Sequence, residues 1–124
     1  MTAADRRRVW REIERKYMPW RSYDGNDFLE GGGFWMQKQH IFMYPFYYID
    51  YALAQTCAFG LYRKKVEGGD AWGDYLTLCS LGGKYGYFET LGKAGIPIPL
   101  DEEVVRDTAK FVEEQAAALA AKVK

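Results

Sequence analysis

One histidine and a run of tyrosines are the residues of this sequence best suited to chemistry. His40 is the only histidine; Tyr44, Tyr47, Tyr48 and Tyr51 follow it closely, and Gln55 comes next. Imidazole N–H and phenolic O–H groups are hydrogen-bond donors, and donors gathered around one point stabilise an oxygen on which negative charge develops. A single histidine excludes a HExxH zinc site, which needs two, and leaves no second imidazole for a serine or cysteine triad unless His40 is itself the base. No motif supports haem ligation by His40. The stretch Asp24 to Asp27 hints at a calcium loop but lacks the later carboxylates that such a loop requires. Cys57 and Cys79 lie in apolar stretches with no leader sequence before them, so reduced thiols and a cytoplasmic location are expected.

The element that must position the tyrosines is a helix. Pro45 suits a first helical turn, and the pattern predicts a helix from there to about Val66. Counting 100° per residue, Tyr44, Tyr47, Tyr48, Tyr51 and Gln55 share one arc of roughly 100°, while Phe46, Ile49, Leu53, Cys57 and Gly60 fall opposite. Phenols that are buried need partners, so four together suggest a polar cavity, a ligand or a shared network; the other reading is that they cover a groove with their hydroxyls in solvent. Only Asp50, Gln55 and Thr56 interrupt the apolar run 45–62 with strongly polar side chains, so the helix should be central and largely buried. A bilayer span is disfavoured, because Asp50 in mid-segment would cost about 2.5–3.5 kcal/mol at the membrane centre. His40 is expected in a short loop just before this helix.

The remaining elements follow from caps and breakers. Val9, Trp10, Ile13 and Tyr17 recur at helical spacing, which predicts an amphipathic helix over 6–17 whose arginines, Arg11 included, face solvent or a partner. Residues 18–33, rich in glycine, asparagine and aspartate, read as a connector. Asp70 should cap a helix carrying Trp72, Tyr75, Leu76 and Cys79, ended by Gly82 and Gly83. A further short helix spans about 84–93 and stops at Gly95, and Pro97 and Pro99 force an extended stretch. Asp101 should cap a last helix with a Val104, Val105, Thr108, Phe111 stripe, and Lys122 and Lys124 suit its C-terminal end. No β pattern is present, so the expected class is all-α, a single helical domain over 1–124 with about five helices.

The 124 residues carry 17 basic and 17 acidic side chains, 48% hydrophobic residues and a pI near 6.6. A globular fold is therefore expected, and no net field draws the chain to nucleic acid or to an anionic membrane. Seven of the basic residues lie in positions 1–21, so the basic arm is local. Ten aromatics fall within residues 34–62, about twice the density of the chain's 17% average. That makes this segment the first place to look for a site.

The block Phe34-Trp35, Gln39-His40-Ile41-Phe42 and Pro45-Phe46-Tyr47-Tyr48-Ile49-Asp50-Tyr51-Ala52-Leu53-Ala54-Gln55 resembles the C-terminal catalytic-domain region of oligoendopeptidase F, among the thimet-oligopeptidase-like zinc metallopeptidases. The resemblance extends through Tyr17-Met18-Pro19-Trp20-Arg21 before it and Trp72, Tyr75, Leu76, Leu78, Cys79 and Gly82-Gly83 after it. It implies peptide-bond hydrolysis in which a zinc-bearing HExxH helix faces a wall of one histidine and several tyrosines. His40 matches the histidine and Tyr51 the later tyrosine; Tyr47 and Tyr48 compete for the earlier one, with Tyr47 favoured as one helical turn from Tyr51. Tyr44, Tyr48 and Gln55 are the implied substrate contacts. The chain lacks the HExxH helix and the glutamate ligand, so it reads as a fragment of such an enzyme. No metal is expected on this chain, zinc belonging to the full-length parent, and activity is not expected from it alone. The implied partners are a peptide substrate, the remaining peptidase segment or a second copy. A peptide-binding or interaction module derived from that fold is the alternative.

Overall fold

Local signals fix most of the helix ends in the computed structural model, which describes residues 1–122; Lys124, expected near the end of the last helix, lies outside them. The described residues hold six α-helices and two tighter or wider helical turns, and no strand, so the chain is all-α. They divide into two units, residues 1–48 and 49–122. No described helix is long and apolar enough to cross a membrane.

The first unit begins with α1, Ala3–Tyr17. Thr2 and Asp5 close a reciprocal capping box, the Thr2 hydroxyl accepting from the Asp5 N–H and the Asp5 carboxylate accepting from the Thr2 N–H. The apolar face proposed for this helix is covered only in part, Val9 and Trp10 being half-buried, and the deepest burial lies elsewhere. Ile13 and Tyr17 are exposed, whereas Glu14 is 2% exposed and the Arg11 side chain is nearly covered. The reason lies in the connector, which is more ordered than its composition suggests. Leu29–Gly33 form a π-helical turn and Phe34–Gln37 a 3₁₀ turn, and the π turn packs on the side of α1 that carries Arg7, Arg11 and Glu14. Gly32 has φ +90°, and a Cβ there would collide with the Arg7 backbone carbonyl, so only glycine brings the two backbones this close.

The first unit continues through α2, Gln39–Met43. His40 therefore sits in a short helix and not in the expected loop. After α2 the predicted long helix fails at its start. Tyr44 precedes proline and is not helical, with φ −137° and ψ 76°, Phe46 is left-handed at φ +68°, and the Tyr47 N–H closes a turn onto the Tyr44 carbonyl at 3.1 Å. Proline bars helix from the residue before it, and a left-handed residue cannot continue one.

The second unit opens with α3, Ile49–Val66, which ends where the sequence indicated. Against expectation none of its residues is buried, although its composition is that of an interior helix. The core of this unit is small: Leu91, Ala94 and Ile96, with Cys57, Leu61, Leu78 and Leu81 packed against them. α4, Ala71–Leu81, is capped by the Asp70 carboxylate, which accepts from the Gly73 N–H at 2.8 Å, and it ends at Gly82. α5, Tyr87–Lys93, stops at left-handed Gly95, where the Ile96 N–H donates to the Leu91 carbonyl. In α6, Glu102–Lys122, Asp101 accepts from the Glu103 N–H, and Phe111 packs its ring on Tyr62 of α3. Both cysteines are free thiols.

Candidate functional site

The first unit brings four of the six proposed residues together. The His40 ring lies nearly parallel to the Tyr47 ring, 19° apart with centroids at 5.9 Å, and tilts against Tyr48 at 5.3 Å. Tyr44 packs on Tyr47 at 6.0 Å, and its N–H donates to the His40 carbonyl at 3.0 Å. These phenols are not sealed in an interior: Tyr47 and Tyr48 are 46% and 47% exposed. An imidazole and phenols at one open surface can donate to an oxygen arriving from solvent.

What gathers them is the turn and not a helix face. The left-handed Phe46 reverses the chain so that Tyr47 and Tyr48 return toward α2, which carries His40. The wheel drawn from Tyr44 thus has no physical basis up to Tyr48, and Tyr47 loses its claim of being one helical turn from Tyr51. Both neighbours of the imidazole remain candidates. Tyr51 and Gln55 stand in the second unit, four residues apart on one exposed face of α3.

The unit that holds the imidazole is organised by a polar core that hydrophobic periodicity did not reveal. Glu14 accepts from the Tyr23 hydroxyl and from Arg11 at 2.6 Å; Arg11 also pairs with Glu30, which accepts from the Tyr23 N–H at 2.9 Å. Burial pushes the Glu14 carboxyl up, but the Tyr23 hydroxyl and the Arg11 guanidinium outweigh it and leave the group below the usual carboxylate range. Burial and the same bond push the Tyr23 phenol up. Tyr23 in turn packs on Phe34 at 5.5 Å, next to Trp35. The Arg11–Glu14 spacing of one turn was the available signal.

The second unit has an open apolar cavity of about 660 Å³ between α3, α4 and α5, lined by Leu53, Leu61, Leu78 and Leu91 with Asp50 among them. Cys57 and the Tyr87 hydroxyl meet there at 3.7 Å. Among the described residues no group of three or more His, Cys, Asp or Glu could hold a metal ion.

No protein-family model and no curated protein matches the chain. Two solved structures match it strongly. PZ peptidase A, in a structure with an inhibitor, is 45% identical over 93% of this chain, with a TM-score of 0.82. A chain described as an oligoendopeptidase F is 43% identical over the same share, with a TM-score of 0.81. The chain spans only about a fifth of the length of each, 21% and 20%. The resemblance read from the block Phe34 to Gln55 and its flanks is borne out by both sequence identity and fold.

Proposed function

We infer, from a chain that matches one stretch of an oligoendopeptidase F-type peptidase in sequence and fold, that it supplies the histidine and tyrosine wall of a peptide-hydrolysing site whose remaining parts lie outside this sequence. The observation that carries this reading is the His40 ring packed against Tyr47 and Tyr48 at an open surface. In this reading the chain forms the C-terminal part of a catalytic domain, and zinc belongs to the rest of the enzyme. The described residues of this chain do not offer a ligand set for that metal.

In this role an imidazole N–H and a phenolic O–H donate to the carbonyl oxygen of the scissile peptide. As that oxygen gains negative charge the bonds strengthen, so they lower the barrier more than they tighten ground-state binding. Either Tyr47 or Tyr48 is the phenol donor beside His40, with Tyr51 as the further one, while Tyr44 and Gln55 hold the peptide. The chain by itself then hydrolyses nothing.

The test is a chimera. The matching fifth of an oligoendopeptidase F is replaced by this sequence, and peptide cleavage is measured for the parent chimera and for His40→Ala. We expect an active chimera whose turnover falls about 10²–10³-fold on losing one oxyanion donor. An active chimera indifferent to His40 would end this reading.

The half-exposed phenols also favour a second reading, a module that binds a peptide without cleaving it, since they are reachable with no second chain present. Saturable peptide binding by the isolated chain, lost in Tyr47→Phe or Tyr51→Phe, would select it; absence of binding would leave the peptidase wall.

A further inference from the structure

The helix that carries His40 cannot hold its own direction. α2 has five residues, none buried, and Lys38 at its N-terminal cap brings no side-chain hydrogen bond. A helix of that length is far too short to persist in water unaided. Something outside it sets the aim of the imidazole.

Two neighbours of His40 make the ties. Ile41 shares an apolar groove of about 250 Å³ with Val9, Trp10, Ile13 and Trp35. The Phe42 ring stacks on Trp35, with centroids at 5.4 Å and planes 22° apart. At 100° per residue Phe42 is roughly 200° around α2 from His40, so anchoring the phenyl ring pins the side of the helix away from the imidazole. Trp35 itself lies three residues after Gly32, the glycine that brings the turn against the backbone of α1. Trp35, which lines the groove with Val9, Trp10 and Ile13 of α1 and stacks on Phe42, thus ties α1 to the short helix that carries His40.

We propose that Phe42, acting through Trp35, is the positioning residue that aims the His40 ring at Tyr47 and Tyr48. Phe42 is itself exposed over more than half its surface, so its ring does little for the interior of the unit. The consequence for hydrolysis rests on the role proposed above for His40; the ring's position does not, and it is read without any peptide or partner.

The whole chain in solution provides the test, because its single histidine gives ring signals in a proton–carbon NMR spectrum that need no disentangling. In the unsubstituted chain the His40 ring protons should be shielded by the Tyr47 face relative to free histidine. In Phe42→Leu and in Trp35→Leu they should lose most of that shielding, in Phe42→Tyr they should keep it, and in both Phe42 variants the Trp10 and Tyr23 signals should stay in place. His40 signals that do not move in Phe42→Leu overturn the proposal. So do signals that move only together with those of Trp10 and Tyr23, since Phe42 would then support the fold and not the aim of one ring. A shielded His40 that responds in this way beside a chimera indifferent to His40 would keep the positioning and discard the catalytic role.

Discussion

Replacing Gly32 with alanine should unfold the first unit, while the same change one residue earlier should not. Gly32 is left-handed, which costs a residue with a Cβ about 1–2 kcal/mol. The new methyl group also meets the Arg7 carbonyl, which is backbone and cannot rotate away, and forced overpacking of this kind adds about 1–3 kcal/mol. The sum, about 2–5 kcal/mol, is comparable to the whole stability of a 48-residue unit, about 2–7 kcal/mol at typical values per residue. Gly31 is not left-handed and a Cβ there meets nothing, so Gly31→Ala should be neutral or stabilise by up to about 1 kcal/mol through the unfolded chain. The assay is urea unfolding followed by tryptophan fluorescence in a Trp72→Phe background, which leaves Trp10, Trp20 and Trp35, all in the first unit. If Gly32→Ala unfolds within about 0.5 kcal/mol of its parent, the range of inconsequential surface changes, the close approach of turn and helix is not what holds this unit together.

Three further expectations concern the same unit. Removing Glu14 leaves Arg11 and Tyr23 without their shared acceptor, and Glu14→Ala should cost about 3–5 kcal/mol in the same urea assay, as breaking buried pairs does. Because the Glu14 carboxyl titrates lower in the folded than in the unfolded chain, its contribution is present above the ordinary glutamate value of about 4.3 and is lost as pH falls through the lowered folded value. Stability measured against pH should show that acid-side loss in the parent chain and a flatter profile in Glu14→Gln. Phe46 is left-handed with its ring 95% exposed, so Phe46→Asn, a residue that accepts this conformation, should raise the denaturation midpoint by an amount equivalent to about 1 kcal/mol; a lower midpoint would show the phenyl ring to be packed in solution.

The parts of the fold legible in the sequence were those set by local chemistry. Asp70 and Asp101 cap helices because a short carboxylate side chain reaches the free N–H groups of a first turn, and Gly82 and Gly95 end them because they escape the right-handed region. What was not legible depended on residues distant in sequence. Arg11 read as part of a solvated or partner-facing surface, and only the arrival of Tyr23 and Glu30 turns that side of α1 inward. Pro45 satisfied the rule for a first helical turn, yet the left-handed Phe46, which no local pattern announces, moves the helix start to Ile49 and folds Tyr47 and Tyr48 back onto His40. The apolar composition of α3 predicts a largely buried helix, yet none of its residues is buried among the described residues. In the proposed peptidase the rest of the enzyme would cover it. The residues of the candidate site were legible because a lone imidazole beside a row of phenols is scarce; their arrangement was not, because a turn built it.

The central claim, that His40 and its tyrosine neighbours act on the oxygen of a peptide under attack, is tested most directly by separating turnover from binding in the chimeric peptidase. Steady-state kinetics of Tyr47→Phe, Tyr48→Phe and Tyr51→Phe should show turnover and kcat/KM falling together with KM nearly unchanged for Tyr51 and for one of the first two, the mark of a bond made chiefly in the transition state. A rise in KM at constant turnover for all three would make the tyrosines a binding surface only, and would contradict the account.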